Sequence, residues 1–224
     1  MKGTLVNTGA IIIGTAVGLL IKKNIPPRYQ ETLMQGLALT VGIIGLQMAL
    51  KTQNMLIVIS SIVIGGILGE WINIQCWLDK MGQFITSTIG DKYGDVGQGF
   101  VTASLVYCIG AMGIVGAIQD GLTGNADTLY AKAILDGMVS VVFASGMGVG
   151  VGLASLAVLL YQGSITLLAT ALNELMNENT IREMTAVGGI LIIGLSISML
   201  EIKKIKVANL LPSIVVVIVL MQFI

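Results

Sequence analysis

Apolar residues come in long blocks separated by short polar stretches. Gly3–Ile21, Leu33–Leu50, Met55–Ile72, Gly99–Ile118, Val187–Leu200 and Val207–Phe223 each read as one block. A helix needs about 20 apolar residues to cross the hydrocarbon of a bilayer, and only backbone that closes its own hydrogen bonds is tolerated there. Each block is therefore expected to be one spanning helix. The block Ile134–Leu172 is too long; at about 1.5 Å per residue it would reach roughly twice the core thickness. Two helices with a tight turn near Gly146–Gly152 fit it better, with Gly146, Gly148 and Gly150 as the breaking positions. The expected fold is all-α, a polytopic transmembrane helix bundle of eight spans.

The longest polar interval has its own periodicity. Ile74, Trp77, Leu78, Met81, Phe84, Ile85 and Thr88 follow a helical three-four spacing. With Trp71 and Trp77 near its start, residues 74–95 are expected to form an amphipathic helix lying at the interface. The whole chain, 1–224, then reads as a single membrane domain, divided into a repeat unit 1–73, the interfacial helix and a second repeat region 97–224.

Composition supports the membrane reading. Of 224 residues, 55% are hydrophobic and 11% charged, less than half the charged share of a soluble domain, which is about a quarter. Mean hydropathy is +0.92. Formal net charge is zero, which gives no basic footprint for nucleic acid. His is absent. That removes His-based triads and His metal ligands, and it argues against an enzyme, a metal centre or a bound cofactor. Cys76 and Cys108 are far apart and are read as free thiols. The N-terminal block lacks a small-residue cleavage site and is followed by Lys22 and Lys23, so it is read as a retained span.

The distribution of basic residues orients the spans. With the N-terminus outside, eight Lys and Arg (22, 23, 28, 80, 92, 203, 204 and 206) face the cytoplasm and four (2, 51, 132 and 182) do not. Internal repeats fit this orientation. A shift of 101 brings Gly9 onto Gly110, Ala16 onto Ala117, Asn24 onto Asn125, Gly36 onto Gly137 and Gly45 onto Gly146. A shift of 152 brings Glu31 onto Glu183, Gly42 onto Gly194 and Ser61-Ile62-Val63 onto Ser213-Ile214-Val215. Both shifts relate spans of opposite direction, as in transporters built from inverted repeats.

Polar groups inside the apolar blocks are the candidate chemistry. Asn7, Asp136, Ser140 and Asn209 are taken as lining a path for substrate or ion, and Pro212 as the kink of the last span, freeing a carbonyl near Ala208. Asp136 has two readings. If its helix begins near Leu129 or Ala133, the carboxylate sits in the first turns, favours the helix dipole and pairs with Lys132. Deeper in the helix, it is a cation- or proton-binding group facing the bundle interior, with Ser140 on the same face. Frequent glycines read first as close helix packing.

The stretches GTLVNTGAIIIG, GFVTASLVYCIGAMGIVGAIQDGLTGN, KAILDGMVSVVFASGMGVGV, YQGSITLLA and KVANLLP together carry a resemblance. Over nearly its whole length the chain resembles a bacterial family of uncharacterised inner-membrane proteins, the domain of unknown function 554. Ala111 departs from the proline that the family often has there, which bears on the break in the fourth span. The resemblance implies a multi-span plasma-membrane protein with a suspected transport role, and it supplies no site residues. The expected function is therefore a small repeat-built transporter or channel for an ion or small solute. The alternative is a non-transporting scaffold or sensor acting through helix packing. The expected partners are the lipid bilayer, the transported ion or solute, and a second copy of the chain.

Overall fold

The structure is a computed structural model that describes residues 1–22, 26–89, 96–173 and 175–223. Among the described residues all regular structure is helical. In chain order the helices are α1 (Lys2–Lys22), α2 (Pro27–Ala49), α3 (Met55–Ile72), α4 (Ile74–Ile89), α5 (Val96–Cys108), α6 (Ala111–Thr123), α7 (Asp127–Met147), α8 (Gly150–Leu167), α9 (Ala169–Asn173), α10 (Glu178–Met199), a 3-10 turn (Val207–Leu210) and α11 (Pro212–Leu220). Six of these, α1, α2, α3, α7, α8 and α10, are long and apolar enough to cross a membrane. The pair α5 and α6 passes the same test jointly, bent by 62°.

The long central block divides where expected. α7 ends at Met147, Gly148 takes φ 87°, and α8 starts at Gly150. That φ is open to glycine and strained for most other residues. Gly146 is not part of the break: it lies inside α7, facing Met34.

Four expectations change. The fourth block is two helices, not one, interrupted at Ile109–Gly110. α7 starts at Asp127, seven residues before the apolar block at Ile134, because a largely polar first turn is helical but hydropathically silent. α10 starts at Glu178 for the same reason: Asn177 caps it, its side chain accepting from the Thr180 N–H. The last block is shorter than a full span. It opens as a 3-10 turn, and Pro212 begins a fresh α-helix as its N1 residue rather than kinking a continuous one. Its Ala208 carbonyl is not freed, because the Leu211 N–H bonds to it at 3.2 Å. Of the segment 74–95, residues Ile74–Ile89 are helical and 90–95 lie outside the described residues. Asn24, one of the repeat matches, lies outside them too.

The chain separates into two compact units. Unit 1 is Met1–Met34 with Asp79–Leu172, and unit 2 is Gln35–Leu78 with Asn173–Ile224. In unit 1 the axis is α1 against α7. A Cβ at Gly14 would meet the Gly137 carbonyl and Ser140, and one at Gly18 would meet the Val141 carbonyl and Ala144. Gly3 lies on Leu129. Residue numbers rise together along the contact, so α1 and α7 are parallel. α8 runs antiparallel to α1, with Gly152 on Thr15 and Gly163 on Met1. α5 begins beside the α7–α8 joint, with Gly99 on Met147 and Val96 on Gly150. α6 ends at the opposite extreme, with Gly116 on Leu129 and Gly121 on Thr166 and Ala169. The bent pair thus runs the full length of unit 1 instead of turning back.

In unit 2, α2 packs antiparallel on α10, with Gly42 on Ser196 and Gly45 on Gly189 and Ile193. α3 packs antiparallel on the last segment, with Gly65 on Ser213 and Gly69 on Asn209. Backbone-on-backbone contact of this kind is how helices hold together where the solvent is as apolar as their side chains.

Gly14→Leu is therefore expected to cost at least the roughly 1–3 kcal/mol typical of overpacking. Gly9→Leu, where nothing lies within 4 Å of the added Cβ, should leave stability unchanged or slightly raised by helix propensity. Unfolding of the purified variants by denaturing detergent measures both. Equal losses at the two positions would contradict the α1–α7 contact.

Candidate functional site

α7 is 21 residues long and Asp136 is its tenth. At about 1.5 Å per residue the carboxylate stands roughly 14 Å from the start of the helix. The macrodipole acts only within the end turns, so it does not explain this position. Asp136 is 7% exposed and Lys132, one turn earlier, also 7%. Lys132 Nζ donates to Asp136 Oδ2 at 2.6 Å. The pairing part of the helix-end reading holds; the location part does not.

Neighbouring helices complete the cluster. Asn7 of α1 is fully buried, and its Nδ2 donates to Asp136 Oδ2 at 3.0 Å and to Gln162 Oε1 of α8 at 3.3 Å. The carboxylate fixes the assignment of both amides. An exchanged Asn7 would face oxygen to oxygen, and an exchanged Gln162 would face nitrogen to nitrogen. With the amides so placed, Asn7 Oδ1 and Gln162 Nε2 are buried without a hydrogen-bond partner. Buried groups of this kind cost free energy unless water or a ligand meets them.

Ser140 is also fully buried, and its hydroxyl is taken up by groups other than the carboxylate. Its Oγ donates to the Asp136 carbonyl at 2.7 Å and pairs with the Tyr107 hydroxyl at 2.7 Å. The hydroxyl chain ends on backbone and does not reach the carboxylate. Tyr107 in turn stacks on Phe143, with ring centroids 6.4 Å apart. Ser140 and Tyr107 thus brace α7 from behind.

The other two buried carboxylates among the described residues hold a helix end and a turn. Asp120 of α6 accepts from the Gly3 N–H at 3.1 Å and from the Met1 ammonium at 2.9 Å, capping α1 from a neighbouring helix. Glu183 of α10, 2% exposed, accepts from the Thr52 hydroxyl and from the Gln53 N–H at 2.9 Å, fixing the α2–α3 turn.

Asn209 belongs to unit 2 and to a second cluster. Its Nδ2 donates to Glu70 Oε2 at 2.5 Å, and its Oδ1 accepts from the Gln75 N–H at 2.6 Å. Lys206 Nζ pairs with Glu70 Oε1 at 2.6 Å, the two side chains being 59% and 57% exposed. Gln75 Oε1 accepts from the Ala208 N–H at 3.3 Å. Asparagine, carboxylate, lysine and glutamine recur, yet here both polar atoms of the asparagine are matched. The structure brings Asn7, Asp136 and Ser140 together in unit 1 and places Asn209 in unit 2. Gln162, Tyr107 and Gln75 were missed. Gln162 had a signal, as the one Gln in the block Ile134–Leu172.

The model of the family described as "Protein of unknown function (DUF554)" matches residues 2–222. The chain belongs to the DUF554 family. It is 38% identical over 221 residues to "Uncharacterized membrane protein YdfK" of Bacillus subtilis (strain 168), covering 96% of this chain and 93% of that protein. It is 26% identical over 220 residues to "Uncharacterized protein YqgA" of Escherichia coli (strain K12), covering 94% and 92%. No solved structure matches it. Membership of DUF554, one relative named as a membrane protein and six apolar helices make this a membrane protein of the helical class.

Removing one partner of a buried ion pair strands the other, at a cost of about 3–5 kcal/mol. Lys132→Met and Asp136→Leu are each expected to lose about that much, and the double variant to regain most of it. A double-mutant cycle on purified protein measures the coupling. Additive losses would show that the pair is not desolvated.

Proposed function

We propose that this DUF554 protein is a small membrane transporter or channel for an ion or small solute, with the Asp136–Lys132–Asn7–Gln162 cluster as its polar station. One observation carries the reading: a buried, mid-helix ion pair with unmatched amide groups beside it. Ionisable residues in apolar helices are expensive and sit where substrate or protons pass, and every other buried carboxylate described here has a helix end or turn to hold. Asn209 and its Glu70 neighbour are proposed to line a polar path within unit 2, at an accessible point. The scaffold reading is less favoured, because Gly14, Gly18, Gly45, Gly65, Gly69 and Gly189 all meet partners within their own unit.

The proposed topology has eight crossings, with the N-terminus outside, in the bacterial inner membrane. The parallel run of α1 and α7 supports it. An odd number of crossings must separate two parallel spans, and α2, α3 and the bent α5–α6 pair supply three; a re-entrant α5–α6 would leave two. The antiparallel packing of α3 on the last segment and of α2 on α10 suits the inverted relation suggested by the two sequence shifts. The helix Ile74–Ile89, with Trp77 and Phe84 exposed, would lie at the cytoplasmic interface.

Single cysteines in a Cys76→Ser, Cys108→Ala background test the topology. A cysteine at Gln53 is expected to react with an impermeant maleimide from outside, and cysteines at Lys80 and Lys204 only after permeabilisation. Labelling of Gln53 and Lys204 from the same side would refute the crossing order. Proteoliposomes test the function. Protein carrying Asp136→Asn should lose most of the flux that the wild type supports, whereas Asp127→Asn, on the exposed first turn of α7, should keep it. Equal flux from both variants would remove Asp136 from the path. No flux of any tested ion or solute from the wild type would favour the scaffold.

A further inference from the structure

We infer that the unit 1 cluster binds a small zwitterion of α-amino-acid type, a solute carrying an ammonium and a carboxylate two bonds apart. This rests on the cluster being the polar station proposed above and names its substrate class.

The cluster has two poles. The donor pole is Lys132 Nζ with Gln162 Nε2. The Lys132 stem and Gln162 Nε2 lie beside Gly113 of α6, where an added Cβ would stand 3.3 Å from Lys132 Cε and 3.6 Å from Gln162 Nε2. Among the described residues Lys132 Nζ makes one hydrogen bond, to Asp136, of the three it can donate. Gln162 Nε2 makes none. The acceptor pole is Asp136 with Asn7 Oδ1, and Asn7 Oδ1 is likewise unmatched. Asn7 and Gln162 are both fully buried, so their unmatched atoms are kept from bulk water.

Charge decides what fits. Lys132 and Asp136 touch at 2.6 Å, so the site is neutral overall. A bare cation reaching Asp136 would meet the ammonium that already holds it. A bare anion reaching Lys132 would meet the carboxylate. Either would bury a net charge, the costly arrangement. A zwitterion adds none. Its carboxylate accepts from Lys132 and Gln162 Nε2, and its ammonium donates to Asp136 and Asn7 Oδ1, matching both orphan atoms. Poles in direct contact call for ligand charges that are also close, as in an α-amino acid and unlike a long zwitterion.

Equilibrium binding of radiolabelled L-alanine to purified wild-type protein is the test. Saturable binding is expected, displaced by glycine. Propionate, ethylammonium, sodium and potassium at the same concentrations, each offering one charge, should not displace it. Glycine betaine, whose nitrogen has no N–H to give Asn7 Oδ1, should compete poorly. Gln162→Met, which removes the unmatched Nε2 together with the Oε1 that accepts from Asn7, should abolish the binding while the unliganded variant still folds and melts cooperatively. Should that variant fail to fold, Gly113→Ala, which narrows the donor pole, should weaken binding. Absence of saturable alanine binding, displacement by propionate or ethylammonium alone, or unaltered binding in Gln162→Met would each overturn the inference. Failure of the transport reading looks different. Alanine binding without alanine flux in proteoliposomes keeps the ligand and rejects the transporter. Asp136-dependent ion flux without alanine binding does the reverse.

Discussion

The close approach of α1 to α7 is the contact on which unit 1 depends. Gly14 and Gly18 present no side chain to the Gly137 and Val141 carbonyls of α7. Any Cβ there would push the helices apart. At that spacing Asn7 reaches across to Asp136 at 3.0 Å, so the asparagine that orients the carboxylate is delivered by glycines elsewhere on its helix. Association of apolar helices in lipid has no hydrophobic drive and rests on packing and internal hydrogen bonds. Both come from the same few residues here. The packing glycines and the polar cluster are one device, which is why treating glycine as mere filler would hide how the charge is held.

Three buried carboxylates and the exposed Glu70 sort by what surrounds them. Asp120 meets the first N–H groups of α1, and Glu183 the turn before α3. Each answers the shortage of partners at helix starts and turns. Glu70 pairs with a lysine that is itself largely exposed, a pairing that water screens. Asp136 alone of the four lies mid-helix against a buried lysine and amides with free atoms. The two asparagine clusters show the same distinction within one set of residue types. Around Asn209 the backbone N–H of Gln75 takes up the amide oxygen. Around Asn7 nothing described does.

Much of the fold was legible from hydropathy, and the misses have one physical origin. Blocks of apolar residues reveal a helix only where its turns are apolar. α1 and α3 were read to within a residue. α7 and α10 extend further, because Asp127–Tyr130 and Glu178–Glu183 are helical turns made of polar residues. That boundary bears on the two readings of Asp136: a start at Ala133 would leave it in the first turn, while Asp127 makes it the tenth of 21 residues. The break at Ile109–Gly110 and the 3-10 turn before Pro212 are local backbone choices that a hydropathy average smooths away. The glycine turn at Gly148 was legible, since only length can divide a continuous apolar block. Of the site, the titratable pair and Asn7 were visible as polar interruptions. Gln162 and Tyr107 were not singled out, because one amide and one phenol in an apolar run become a site only through their neighbours on other helices.

A neutral pair is the least costly way to keep two charges among apolar helices, and it is also a lock. Attraction between Lys132 and Asp136 grows as water is excluded, so opening the pair without compensation is unfavourable. A ligand that offers each partner an opposite charge replaces the attraction as it breaks it. The orphan atoms of Asn7 and Gln162 add to the same balance: unmatched in the closed pair, they gain hydrogen bonds only when something dipolar enters. On the proposed reading, binding and opening are favoured by the same groups, and a solute with a single charge would satisfy one pole while stranding the other.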